Sequence, residues 1–259
     1  MDQQLSNDGF GSNDTTSSDT DNNKKIVYSR RQIEYIYKDP NTKCMRDFPV
    51  KQWIADGMSG SVFVTCIKHD CKYVIKLVPL DVYIPTDDCD IEHPVEGDCL
   101  GVSRKAFETE VEFTKKFSDL YAGPKMVAAG ICDNVYNKYQ PELSVGFIVQ
   151  EKWDLSLEDY LQQYPDDFQN NFQTIERLLL AKAKKIDKTG YCHIDLHSGN
   201  ILLRLDSRGV GNTVTDVTPS DFGIIRRCSF GDTTVQWALR ELDDVKKKSY
   251  KLRQKRHKA

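Results

Sequence analysis

An acid, an amide and a second acid, Asp195, Asn200 and Asp221, stand in the stretches HIDLHSGN (His193 to Asn200) and Asp221-Phe222-Gly223. That set suits phosphoryl transfer from a nucleotide. Asp195 is placed to accept the proton of a hydroxyl, and Asn200 and Asp221 offer oxygen ligands to a divalent metal, Mg2+ or Mn2+. Taken singly, each residue type also favours turns and caps. Their order along the chain, with two further features upstream, is what points to chemistry.

The first of these features is IADGMSGSV: Ile54, Ala55, Asp56, Gly57, Met58, Ser59, Gly60, Ser61 and Val62. Glycine at 57 and 60 lets backbone amides approach phosphate oxygens unobstructed, and Val62 offers an apolar face to a base. An ordinary β-hairpin turn has the same composition. The second is Lys76, which ends the run YVIK sixteen residues beyond Gly60. An ammonium on a strand of Tyr73, Val74, Ile75 and Leu77 requires an anionic partner if it is buried; the alternative is an edge-strand lysine facing water. Glu110 is the expected partner. Glu108 and Glu112 lie close to it in sequence but are rotated about 200° from it around a helix.

The elements that carry these residues follow from periodicity. Trp53 to Leu80 reads as three antiparallel strands, with Val62, Val64 and Cys66 alternating and KHD as a turn. DVYIPTDDCDIEHPVEGDCLG, rich in proline, glycine and acids, reads as a loop or insertion. A helix runs from Ser103, its N-cap, to Leu120, with Phe107, Val111, Thr114 and Phe117 at helical spacing. Strands are expected around Lys125 to Cys132 and Ser144 to Lys152. A short helix at SLEDYLQQY and a longer one from about Asn171 to Lys188 follow them. The fold class is α+β, a β-rich part followed by a mainly helical one.

Residues 1–25 are almost devoid of large apolar side chains and read as a disordered polar tail, with order expected from about Ile26. A net charge of -3 gives no global attraction to nucleic acid or acidic membranes. The basic run KKKSYKLRQKRHK, within a C-terminal tail at 246–259, is the local exception; it reads as a nucleic-acid contact, a nuclear address, a substrate contact or a solvated end. No apolar run reaches the roughly 20 residues of a membrane-spanning helix, so no membrane partner is expected. Eight cysteines without scaffold-like spacing, and no secretory signal, suggest reduced thiols in an intracellular, cytoplasmic or nuclear setting. Cys66, His69 and Cys71 invite a zinc reading but lack a matching second half.

HIDLHSGN matches HRDLxxxN, Lys76 occupies the lysine position of VAIK, and Ala55, Gly57, Gly60 and Val62 align with GxGxxGxV, so the chain resembles the protein-kinase-like superfamily over roughly residues 50–225. The resemblance implies a two-lobed domain over 26–245, with an N-lobe at about 48–152 and a C-lobe at about 153–245. It also implies ATP and Mg2+ between the lobes, catalytic roles for Asp195, Lys76 and Glu110, metal on Asn200 and Asp221, and His193 as a loop brace. Gln150 falls at the gatekeeper position, and backbone groups from Glu151 to Trp153 would meet the adenine edge. A serine/threonine protein kinase with an unidentified protein substrate is the leading expectation, and compact divergent kinases of this kind resemble those encoded by large DNA viruses.

Departures from the pattern keep other readings open. Ile194 replaces the arginine of HRD, which puts control by activation-loop phosphorylation in doubt. His197 stands where a lysine is usual, as in kinases resembling aminoglycoside and choline phosphotransferases, so a small-molecule kinase is the alternative. Only 36 residues follow Gly223, with no APE motif, as in compact RIO-type and Bud-type kinases, the latter also ending in a basic tail. Ala55 and the short C-terminal part also suit a non-catalytic pseudokinase acting as a binding module.

Overall fold

The computed structural model describes residues 43–57, 60–80, 84–85, 99–100, 102–137, 140–206, 212–229 and 231–256. The polar segment at 1–25, the expected onset of order at Ile26, Met58, Ser59 and most of the 81–101 insertion lie outside them.

Strands β1 (Val50–Asp56), β2 (Ser61–Ile67) and β3 (Asp70–Leu80) form the expected antiparallel meander. The β2–β3 turn holds Lys68 and His69 at positive φ, 48° and 74°. Two residue pairs, β4 (Ile84–Pro85) and β5 (Cys99–Leu100), meet within the insertion. Strands β6 (Met126–Asn137) and β7 (Gln140–Glu151) then complete a five-stranded sheet in the order β1-β2-β3-β7-β6.

Because side chains alternate along a strand, β3 serves both faces of this sheet. Ile75 and Leu77 join Phe63, Val145, Phe147 and Val149 in one core. Val78 and Leu80 pack with Ile148 and Phe107 in another, and Lys76 shares their side of the strand. Phe107 belongs to helix α1 (Arg104–Asp119), which Ser103 caps by accepting the Ala106 N–H. The helix approaches β7 closely at Gly146, where a Cβ would fall 2.6 Å from the Phe107 ring. A side chain at 146 would have to displace the Phe107 ring from this contact.

After a short strand β8 (Leu155–Ser156), helices α2 (Leu157–Gln163) and α3 (Pro165–Asp187) follow. Helix α3 starts six residues before the expected Asn171, with Pro165 in its first turn and Asp166 and Asp167 beside it. Proline in a first turn loses no helical hydrogen bond, and acids there favour the positive end of the helix dipole. Strand β9 (Tyr191–His193) leads to β10 (Ile201–Asp206) and β11 (Thr213–Pro219), which form a three-stranded sheet with β8. The β10–β11 turn lies mostly in 207–211, outside the described residues. Strand β12 (Ile225–Arg227) pairs with β9, and helix α4 (Thr234–Arg256) closes the fold.

The basic segment expected as a separate tail from 246 continues α4 as far as Arg256. Ala238, Leu242, Val245 and Ser249 form one buried stripe at helical spacing, and this stripe carries the helix past the point where charge begins to dominate. The sheet and helical parts meet at a third cluster, in which Phe113 and Phe117 of α1, Ile186 of α3 and Phe222 pack together. Phe117 and Phe222 rings lie 4.8 Å apart.

The thiols differ from expectation as well. Disulfides join Cys44 to Cys132, Cys66 to Cys71 and Cys192 to Cys228, with Cα separations of 5.8, 3.9 and 5.1 Å. Spacing along the chain could not reveal pairs that the sheet and the β9–β12 ladder bring together. The Cys66–Cys71 bond engages both thiols of the zinc reading. No helix among the described residues is long and apolar enough to cross a membrane.

Candidate active site

The loop from His193 to Asn200 runs from β9 through a one-turn 3-10 segment, Ser198–Asn200, into β10. His193 is fully buried, and burial pushes its pKa below the ordinary value, against the Ser220 carbonyl and the nearby Asp221 and Asp195 charges. A neutral ring satisfies both of its neighbours. Nε2–H donates to the Ser220 carbonyl at 2.9 Å, and Nδ1 accepts the Asp195 N–H at 3.3 Å. His193 thereby ties the backbone of one acid to the residue preceding the other.

Asn200 turns back on the same loop. Its Nδ2 donates to the Asp195 carbonyl at 2.9 Å and lies 3.4 Å from Asp195 Oδ2. This fixes the amide with Oδ1 as the atom left for a ligand, and it orients a half-buried carboxylate. His197 is exposed, and its Nδ1 accepts the Gly199 N–H at 3.2 Å, capping the 3-10 turn. The imidazole thus braces the loop.

Helix α4 supports this loop from below, through contacts that sequence reasoning does not reveal. Thr234 Oγ1 accepts the His193 N–H at 3.0 Å, and Glu241 Oε1 accepts the Ser198 N–H at 2.8 Å. Asp187, at the end of α3, accepts the Thr234 and Val235 N–H groups at 2.8 and 3.1 Å, satisfying the first turn of α4. These acceptors lie more than forty residues from their donors, so no local cap pattern announces them.

The β10–β11 register sets Ile201 opposite Pro219, and the Ser220 N–H donates to the Asn200 carbonyl at 2.8 Å. Asp221, the next residue, has a φ of 56°, a conformation unfavourable for a residue bearing a Cβ. Phe222, 1% exposed, anchors it. Lys76 Nζ stands 2.7 Å from Glu110 Oε1 and 3.0 Å from Asp221 Oδ1. Of the three acids considered on α1, only Glu110 is buried; Glu108 and Glu112 are exposed.

The electrostatics of this triad follow from one cation between two anions. Burial disfavours the Lys76 ammonium, but the charges of Asp221 and Glu110 outweigh it and hold its pKa above the ordinary value. Burial raises Glu110, the Lys76 charge opposing it. Burial also works against the Asp221 carboxylate, yet Lys76, His193 and the Gly223 N–H together keep it below its usual range. Asp221 is therefore the firmly ionised acid, with 36% of its side chain exposed, against 4% for Glu110.

Ile54, Ala55, Asp56 and Gly57 lie exposed along β1 and its turn, and Gly57 N–H donates to the Gly60 carbonyl at 2.8 Å. Asp56 Oδ1 accepts Ser61 Oγ–H at 2.6 Å, bracing the hairpin from within. Val62 pairs with Lys76 across β2–β3, so β2 leaves the hairpin directly beside the ammonium-bearing strand. Gly60 is required there, since a Cβ would overlap the Leu77 carbonyl. Met58 and Ser59 lie outside the described residues.

At the far end of β7, Gln150 pairs with Val74 and Met126, and Glu151 begins the connector to the helical part. Glu151 and Lys152 N–H groups donate to the Lys125 and Lys72 carbonyls, each at 2.9 Å. The indole N–H of Trp153 is buried without a hydrogen-bond partner among the described residues.

The structure thus brings Lys76, Glu110 and Asp221 into direct contact, and binds Asp195 to Asn200 on the neighbouring loop. No protein-family model matches the chain, and no curated protein matches it in sequence.

Proposed function

We propose that the chain is an ATP-dependent phosphotransferase with a two-lobed, protein-kinase-like fold, acting on serine or threonine hydroxyls of a protein. The observation that carries this reading is the Lys76 ammonium shared between Glu110 on α1 and Asp221 after β11. A buried cation held by two elements, beside an amide-oriented carboxylate, is a costly arrangement for packing alone.

In this reading Lys76 orients the nucleotide phosphates, and Glu110 fixes where Lys76 points. The hairpin at 54–62 covers the phosphates, and the connector from Glu151 to Trp153 receives the base. The donor set suits Mg2+ or Mn2+, because Asn200 keeps Oδ1 for a ligand and Asp221 is an ionised carboxylate. Such a metal would offset negative charge developing on the transferred group. Asp195, held by Asn200 and by the His193 ring, orients the acceptor hydroxyl and takes its proton.

Incubation with labelled ATP and separate panels of peptides and small hydroxyl compounds tests the acceptor class. Label in serine or threonine of peptides is expected. Label in aminoglycosides or choline alone would replace the protein substrate with a small one. Absence of any Mg2+-dependent turnover would favour a non-catalytic binding module.

A further inference from the structure

The connector between the two parts is gripped by one side chain from the opposite side. Arg204 sits in β10 immediately after Leu203, the residue that pairs with Leu155 of β8. Its neighbours also hold the connector: the Leu203 carbonyl accepts the Asp154 N–H at 3.1 Å, and the Leu205 N–H donates to Asp154 Oδ2 at 2.8 Å. From this position the guanidinium reaches three consecutive residues. Nη2 lies 2.9 Å from Glu151 Oε2, Nη1 lies 3.5 Å from the Lys152 carbonyl, and the guanidinium carbon stands 4.5 Å from the centre of a Trp153 ring.

An exposed ion pair alone would contribute little. Here the pair is one contact of a planar group that also lies over an indole, a combination that a lysine ammonium cannot reproduce. The grip falls on the residues whose backbone the phosphotransferase reading assigns to the base. On the other side, the Glu151 and Lys152 N–H groups are tied to Lys125 and Lys72, so the connector is fixed from both parts at once. The Trp153 indole N–H, buried and unpartnered among the described residues, adds a donor within the same cluster.

We propose that Arg204 is a positioning residue for nucleotide binding: by clamping Glu151, Lys152 and Trp153 it holds the connector in the one orientation that receives a purine base. It acts through the connector and touches neither the phosphates nor the acceptor. The role rests on the phosphotransferase reading, and its test separates the two.

Full-length wild type, Arg204→Ala, Arg204→Lys and Glu151→Gln are compared by steady-state kinetics and by amide hydrogen exchange without nucleotide. Arg204→Ala should raise KM for ATP about tenfold with a much smaller change in kcat, and reduce discrimination between ATP and GTP. Exchange across 150–155 should accelerate while exchange in α3 stays as in wild type, which shows that the variant is folded. Arg204→Lys and Glu151→Gln, each keeping part of the clamp, should fall between. An Arg204→Ala protein with wild-type KM and wild-type exchange at 150–155 overturns the clamp alone. Wild-type protein that neither binds nor turns over ATP overturns the reading of the site, and the nucleotide role of Arg204 with it.

Discussion

Lys76 Nζ lies 2.7 Å from Glu110 Oε1, with 11% and 4% of the two side chains exposed, so strand β3 and helix α1 are joined by an ion pair almost out of water. Removing the cation leaves Glu110 and Asp221 facing each other with no charge between them. Lys76→Met should abolish phosphate transfer and destabilise the fold by about 3 kcal/mol, read from urea unfolding. The double variant Lys76→Met with Glu110→Leu should recover most of that stability and none of the activity. Equal midpoints for wild type and the single variant would contradict the burial of this pair.

Asp195→Asn keeps the size of the side chain and removes its basicity. The rate should fall by on the order of 10² to 10⁴, with nucleotide affinity close to wild type. Single-turnover kinetics beside equilibrium nucleotide binding separate the two effects.

Acid should weaken the fold through His193. Burial holds the pKa of the folded ring below the ordinary 6.5, so as pH falls through about that value the unfolded chain takes up a proton that the folded chain refuses. Stability from this group is therefore full above the unfolded pKa and declines below it. The urea midpoint should drop between about pH 7 and about pH 5, and His193→Gln should flatten that limb. Asp221, whose folded pKa is depressed, loses its contribution only in the more acidic carboxylate range.

Glu241 offers a test of support from below. Its Oε1 accepts the Ser198 N–H at 2.8 Å, and Glu241→Ala leaves that amide without its partner. If the phosphotransferase reading holds, a looser His193–Asn200 loop should lower kcat by about tenfold with KM for ATP little changed. Glu241→Gln, which keeps an acceptor, should retain most of the rate. Equal losses in both variants would point to charge rather than to the hydrogen bond.

Much of this arrangement is legible in the amino-acid sequence wherever the signal is local. The alternation through β2 and β3, the Ser103 cap and the five-residue step from Asp195 to Asn200 each depend on neighbours in sequence. Glu110 is legible in the same way: it shares the buried helix face of Phe107, Thr114 and Phe117, and Glu108 and Glu112 do not. The start of α3 is hidden because Pro165 resembles a break and is in fact a first-turn residue. The helical run to Arg256 is hidden because abundant charge masks a narrow apolar stripe. Disulfides and the Glu241 and Thr234 acceptors depend on long-range closure, on which spacing is silent.

The Cys192–Cys228 bond has a topological consequence. It closes a loop of sequence separation 36, and Asp195, Asn200 and Asp221 all fall inside it, whereas Lys76 and Glu110 lie outside. The three side chains that the phosphotransferase reading gives to the acceptor and the metal therefore belong to a covalent ring that persists when the chain unfolds without reductant. Ring closure of that size removes roughly 4 kcal/mol of chain entropy from the unfolded state. A single backbone cut between the two cysteines would leave the protein in one piece on a non-reducing gel and release two only after a dithiol is added. Lys76 and Glu110 meet this ring through the Lys76–Asp221 ion pair.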